Sequence, residues 1–94
     1  MLYENSYMET YRTTHATLDQ PCQVRIETGI ITIEYLQDNE PASYRGQEQG
    51  PGHFLLTGHE SGGKATLHMF EGSNILEGGW VEGGAKGMWR IRLG

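Results

Sequence analysis

Glycine-centred breaks at nearly even spacing are the feature of this chain that most constrains its fold. Thirteen of the 14 glycines lie between Gly46 and Gly94, where they separate short apolar runs. Short strands divided at regular intervals by turn residues are typical of an antiparallel meander, and a meander with enough strands closes into a barrel. The spacing therefore predicts an all-β chain.

Two alternating runs carry the clearest strand signals. Apolar and polar residues alternate over 22–27 and again over 30–35, and at a period of two each run places its apolar side chains on one face. Thr28-Gly29 lies between the runs, where glycine supplies the positive φ of a tight hairpin. The polar segment 37–41 that follows predicts a turn, with its proline ending the preceding ladder.

The first twenty residues fit two structures. Tyr3, Tyr7 and Tyr11 recur every four positions, which suits one face of a helix. The alternation from Tyr7 to Thr13 and the nearby threonines favour a strand instead, and we expect a strand here. The predicted strands are then 7–14, 22–28, 30–36, 42–48, 53–59, 64–70, 75–82 and 86–93.

Eight antiparallel strands joined by short turns can bring the last strand beside the first and so remove both edges. We therefore predict a single domain, residues 1–94, folded as a small up-and-down meander barrel. Gly78-Gly79 lies inside the seventh strand, where a bulge or a sharp bend is the usual reason for glycine. The predicted interior comprises Val24, Ile26, Ile31, Ile33, Phe54, Leu56, Leu67, Met69, Leu76, Trp80, Trp89 and Ile91.

Charge and composition restrict the partners. The net charge of −5 argues against nucleic acid, because binding phosphates requires a basic face. No apolar stretch approaches the roughly 20 residues of a membrane span, and the single Cys22 fits a reducing compartment. We expect a soluble cytoplasmic protein that contacts neither membrane nor nucleic acid. A domain this small has a modest core, so we also expect a homo-oligomer, formed through exposed apolar side chains such as Leu55, Phe70 or Met88.

The last hairpin resembles the calycin type of barrel, which includes avidins, lipocalins and fatty-acid-binding proteins. The resemblance covers about the last 30 residues and rests on the Gly-x-Trp elements of Leu76-Glu-Gly-Gly-Trp80 and Gly87-Met-Trp-Arg-Ile91. Lipocalins carry their signature tryptophan on the first strand, whereas this chain has none before Trp80. The resemblance implies a barrel that holds a ligand, and it assigns no binding residue.

Aromatic residues supply the main candidates for a site. Side chains converging at one mouth of a barrel can sandwich a flat or apolar ligand, with Arg90 or Arg45 as a charged anchor. Tryptophans on adjacent strands can equally be the packed core of a small barrel. The candidate ligand-binding residues are Tyr35, Tyr44, Phe54, Trp80, Trp89 and Arg90.

The histidines are candidates for a different kind of site, one that holds a metal ion. His53, His59 and His68 lie in adjacent predicted strands or at their ends, and three imidazoles can hold a zinc or similar ion with one open position for water. Their spacing matches no dedicated metal motif, and alternation places all three on the outer face. We therefore predict a non-enzymatic binding module for a small apolar or aromatic ligand or a partner subunit, with no cofactor. The alternatives are a metal-assisted enzyme that uses these histidines, and a purely structural oligomerisation module.

Overall fold

The computed structural model describes residues 1–94 and confirms the predicted fold class: eight antiparallel strands close into an up-and-down barrel in chain order. No helix in it is long and apolar enough to cross a membrane. The strands are β1 (Leu2–Tyr11), β2 (Ala16–Glu27), β3 (Ile30–Gln37), β4 (Glu40–Gly50), β5 (His53–Gly58), β6 (Lys64–His68), β7 (Ile75–Glu82) and β8 (Ala85–Arg92).

Pairing of the first strand with the last closes the sheet. The β1–β8 ladder runs from Tyr7 opposite Arg92 to Tyr11 opposite Met88, so every strand has two hydrogen-bonded neighbours and no edge remains. The helical interpretation of the first tyrosines is thereby excluded. The predicted bounds of β1 were wrong, because the strand already begins at Leu2, where it pairs with Arg25 of β2. Those of β2 were wrong too, because this strand begins at Ala16 and not at residue 22.

Three hairpins turn over two residues. Thr28-Gly29, Asp38-Asn39 and Gly83-Gly84 have positive φ at both positions, as the primed turns that match strand twist require. The Thr28-Gly29 hairpin is confirmed. The predicted five-residue turn over 37–41 was wrong: Asp38-Asn39 completes the reversal alone, and Pro41 lies in β4 opposite Leu36. Proline is tolerated there because it falls in the first residues of the strand.

The barrel interior is filled by one cluster of fifteen buried apolar residues. Ten of the twelve residues predicted to point inward are buried, whereas Ile26 and Met69 are only partly covered. Cys22 is buried beside Val24, as the alternation predicted. The other buried apolar residues are Met8, Tyr44, Ala65 and Leu93, and every buried side-chain polar atom has a hydrogen-bond partner.

Two glycines lie where neighbouring strands approach each other closely. A Cβ added at Gly78 would lie 1.7 Å from the carbonyl oxygen of Thr66, and one added at Gly46 would lie 1.7 Å from that of Leu55. The β6–β7 pairs on either side of Gly78 keep one register, which excludes a bulge there. Close approach of the β6 backbone is therefore the reason for glycine at this position.

We expect Gly78→Ala to lower the free energy of unfolding by about 2 kcal/mol or more, because its methyl group would displace the backbone of β6. Gly79→Ala is the matched control, since the nearest atom to its Cβ would lie at an ordinary 3.5 Å. Urea unfolding followed by tryptophan fluorescence measures both. Equal urea midpoints for the two variants would contradict this explanation of Gly78.

Candidate functional site

The mouth of the barrel is the end formed by the β1–β2, β3–β4, β5–β6 and β7–β8 connections. A cavity of about 480 Å³ opens there, and we call it the mouth cavity. Its volume falls in the range of small-molecule sites, about 300–1,000 Å³. Because the interior below is packed, the mouth cavity is a cup at the end of the barrel and not a channel through it.

Aromatic side chains form the floor of the mouth cavity. Trp80, Trp89 and Tyr35 all line it. Tyr35 and Tyr44 each meet the Trp89 ring edge to face, at centroid distances of 6.3 and 4.8 Å, which is the arrangement aromatic pairs favour. The Trp80 indole Nε1–H donates to the carbonyl oxygen of Met88 at 3.3 Å, so the ring is held in place.

Glu82, at the end of β7, brings a carboxylate to the wall. The hydroxyl of the buried Tyr44 donates to Glu82 Oε2 at 2.5 Å. Burial, and then the hydrogen bond to Glu82, raise the pKa of Tyr44 above its usual range. Burial is also the main cause that raises the pKa of Tyr35 to about 12; Glu82 adds to this shift and Arg12 opposes it.

Arg12 supplies the cation of the mouth cavity. Its backbone N–H donates to the carbonyl oxygen of His15 in the β1–β2 connection, and its guanidinium donates to Thr17 Oγ1 at 3.1 Å. No carboxylate forms an ion pair with Arg12. The polar wall was not predicted from the sequence, because most of its residues lie in turns and at strand ends, where alternation gives no signal. The polar residues of this wall include Arg12, His15, Gln20, Asp38 and Glu82.

Three of the predicted ligand-binding residues do not line the mouth cavity: Tyr44 is buried against Trp89, and Phe54 and Arg90 lie elsewhere. Phe54 points inward, but it is buried at the end of β5 away from the mouth and does not line the mouth cavity. Arg90 lies on the outer face of β8, opposite Glu77 and Glu9 on the flanking strands. The other anchor considered, Arg45, is exposed on β4 and also does not line the cavity.

The structure brings two of the three candidate histidines together. His53 and His68 are opposite each other on β5 and β6, and their Nδ1 atoms are 2.9 Å apart. His59 lies beyond the other end of β5, where its Nε2 is 3.9 Å from Glu60. No group of three or more His, Cys, Asp or Glu side chains is placed to hold a metal ion. The three-histidine arrangement of the alternative hypothesis therefore does not form.

The outer face of β5–β8 and β1 carries a second concavity, of about 890 Å³. Leu55, Val81 and Met88 are about half exposed along it, and Gly79 leaves part of its floor without a side chain. The Trp80 ring packs behind Gly87, where an added Cβ would lie 2.5 Å from it. Trp80 thus borders this concavity as well as the mouth cavity.

The rim of this concavity is basic, so we call it the basic groove. Arg12, Lys64 and Lys86 line it, and none of them forms an ion pair. In a chain of net charge −5 this is a local excess of positive charge. The basic groove contains two of the apolar residues expected at an interface, Leu55 and Met88, whereas Phe70 is exposed in the β6–β7 connection.

The outer face of β2–β4 carries a concavity of the opposite charge, the acidic groove, of about 530 Å³. Glu4, Glu34 and Glu60 line it together with the exposed Leu36, and no lysine or arginine does. Since β3 and β7 lie four strands apart around an eight-stranded barrel, the acidic and basic grooves are on opposite sides of the molecule.

Comparison of the chain with protein-family profiles, with curated protein sequences and with solved structures finds no match.

The partly buried Tyr35 leads us to expect a loss of stability in alkali. Because the folded state raises the pKa of Tyr35 from 10.0 to about 12, its contribution is fully present below pH 10 and is lost as the pH rises toward about 12. Circular dichroism and tyrosinate absorbance should change together in this window. Tyr35→Phe should make the decline in free energy of unfolding shallower, whereas Tyr7→Phe, at a half-exposed tyrosine on the outer face, should not. An unchanged slope in Tyr35→Phe would contradict this assignment.

Proposed function

We propose that this protein is a non-enzymatic binding module that takes a small, flat aromatic molecule in the mouth cavity. The observation that carries the proposal is the combination of an aromatic floor with an open cup of about 480 Å³. Faces and edges of Trp80, Trp89 and Tyr35 provide stacking and edge contacts for a ring. The proposal includes a relation to the calycin barrels. The closed barrel and the Gly-x-Trp elements of β7 and β8 support that relation.

The polar wall restricts the class of ligand. Arg12 offers guanidinium N–H donors on one side, and Glu82 offers a carboxylate oxygen that Tyr44 does not occupy. Both groups line the same cavity as Tyr35. The molecule that fits this wall carries an acceptor or anionic group toward Arg12 and a donor group toward Glu82.

A panel of small heteroaromatic acids and amino-substituted aromatics tests the proposal by isothermal calorimetry and tryptophan fluorescence. We expect one member to bind with one-to-one stoichiometry and to change the emission of the protein. Arg12→Gln should weaken its binding about tenfold or more, because a charge-assisted hydrogen bond is lost.

Arg90→Gln is the matched control, since it removes the same charge from the outer face of β8. It should leave the affinity unchanged. If Arg90→Gln weakened binding as much as Arg12→Gln does, the binding would depend on the net charge of the protein and not on the mouth cavity. A panel with no binder, together with native mass spectra of the freshly purified protein that show no bound molecule, would overturn the proposal.

A second function, self-association, is favoured by the two grooves. The basic groove combines half-exposed apolar side chains with three unpaired cations, and the acidic groove presents three carboxylates around Leu36. We propose that a second copy of the chain lays its acidic groove against the basic groove of the first. Such a contact is heterologous, so it forms rings or open stacks and not a two-fold dimer.

Charge reversal tests this association. Lys64→Glu/Lys86→Glu makes the basic groove acidic, and Glu4→Lys/Glu34→Lys makes the acidic groove basic. Each variant alone should be monomeric by light scattering at high micromolar concentration, because its two grooves then carry the same sign of charge. An equal mixture should associate again, since each variant retains one complementary groove.

Two results would contradict the heterologous contact. A wild-type protein that is monomeric at the same concentration would exclude it directly. A stronger association after replacement of both Lys64 and Lys86 by alanine would indicate that two basic grooves contact each other. In such a contact the lysines of the two copies repel each other, and their removal relieves that repulsion.

A further inference from the structure

The cross-strand histidines on the outer face form a site independent of the mouth and of both grooves. His53 of β5 and His68 of β6 are register partners near the end of the barrel opposite the mouth. Their rings are 4.3 Å apart between centroids and are inclined at 67°. Neither residue lines the mouth cavity or a groove. We call them the histidine pair.

We propose that the histidine pair is a binding site for a divalent transition-metal ion of tetragonal geometry, and specifically for Cu(II). The two Nδ1 atoms face each other at 2.9 Å, a hydrogen-bond distance, so one Nδ1–H donates and the other Nδ1 accepts. When a metal ion takes the place of this hydrogen, the proton of the donor ring moves to its Nε2, and both neutral imidazoles coordinate through Nδ1. The exchange costs one hydrogen bond between partly solvated groups, which contributes little to stability.

The nitrogen separation selects the coordination geometry. With metal–nitrogen bonds of about 2.05 Å, two nitrogens 2.9 Å apart subtend an angle of about 90° at the metal. This is the angle between adjacent ligands of a square-planar or tetragonal ion, whereas a tetrahedral ion would require nitrogens about 3.3 Å apart. Cu(II) adopts the tetragonal geometry, and it also binds imidazole most strongly among the divalent first-row ions.

The surroundings leave space for the remaining ligands. Gly50 is the register partner of His53 on β4, and nothing lies within 4 Å of the position its Cβ would occupy. On the other side, Glu77 of β7 is the register partner of His68 and brings a negative charge to the same face. Water therefore completes the coordination shell of an ion that the two strands hold through their side chains.

The rigidity of the ladder prepares the site in advance. Both histidines lie within paired strands of a closed sheet, so the backbone that carries them does not have to reorganise when the ion binds. The entropy cost of bringing the two ligands together is already met by folding. The ion also links two neighbouring strands, so its binding stabilises the folded state.

Calorimetric titration of the purified protein with Cu(II) in a weakly coordinating buffer tests the site. We expect one equivalent to bind, with an axial paramagnetic resonance spectrum whose splitting shows two equivalent nitrogens. His53→Asn and His68→Asn should each weaken binding at least about tenfold, because one of the two protein ligands is lost. His15→Asn and His59→Asn are matched controls that should leave the affinity within about twofold.

Circular dichroism of the four variants checks that each is folded, which we expect because all four histidines are at least partly exposed. Zn(II) should bind the wild-type protein at least about tenfold more weakly than Cu(II), since the nitrogen separation suits the tetrahedral geometry less well. Zn(II) binding as tight as that of Cu(II) would overturn the geometric assignment. If all four variants weakened copper binding equally, or if none of them weakened it, the assignment of the site to the histidine pair would be overturned.

Discussion

Closure of the sheet through the β1–β8 ladder is the interaction on which the other features depend. An open meander of this sequence would leave the N–H and C=O groups of two long strands unpaired and would expose one side of the apolar cluster. The ladder also determines which residues of β1 meet the last hairpin. Pairing of Thr10 with Trp89 brings the β1–β2 connection, and with it Arg12, beside the aromatic floor.

The strands could be predicted because their signals are local. Glycine at turns and a period of two within strands give approximate boundaries and faces without any knowledge of partners. All eight strands follow from them, although β1 and β2 begin at Leu2 and Ala16 and not at the predicted residues 7 and 22. The bounds of the first strand could not be predicted, because its buried side chains include Ser6 and Thr10. These residues are polar, so a pattern of alternation assigns them to the outer face. Pro41 also led to the prediction of too long a turn, since the turn before it needs only two residues of positive φ.

The candidate site could be predicted only in part, because alternation gives the face of a residue but not its height along the barrel axis. Trp80, Trp89 and Tyr35 share both the inward face and the mouth end, whereas Phe54 shares only the face. Arg90 follows Trp89 directly in β8, so a period of two already places the two side chains on opposite faces. The cation that does reach the mouth, Arg12, lies in a connection whose position depends on closure of the barrel.

Trp80 is a wall shared by two compartments, since the mouth cavity lies on one side of it and the basic groove on the other. If the proposed ligand of the cup shifts the indole, it changes the surface that the basic groove presents to the proposed second copy. By thermodynamic reciprocity, the two binding events would then alter each other's affinity by the same factor. A single aromatic ring would in that case couple the two proposed functions.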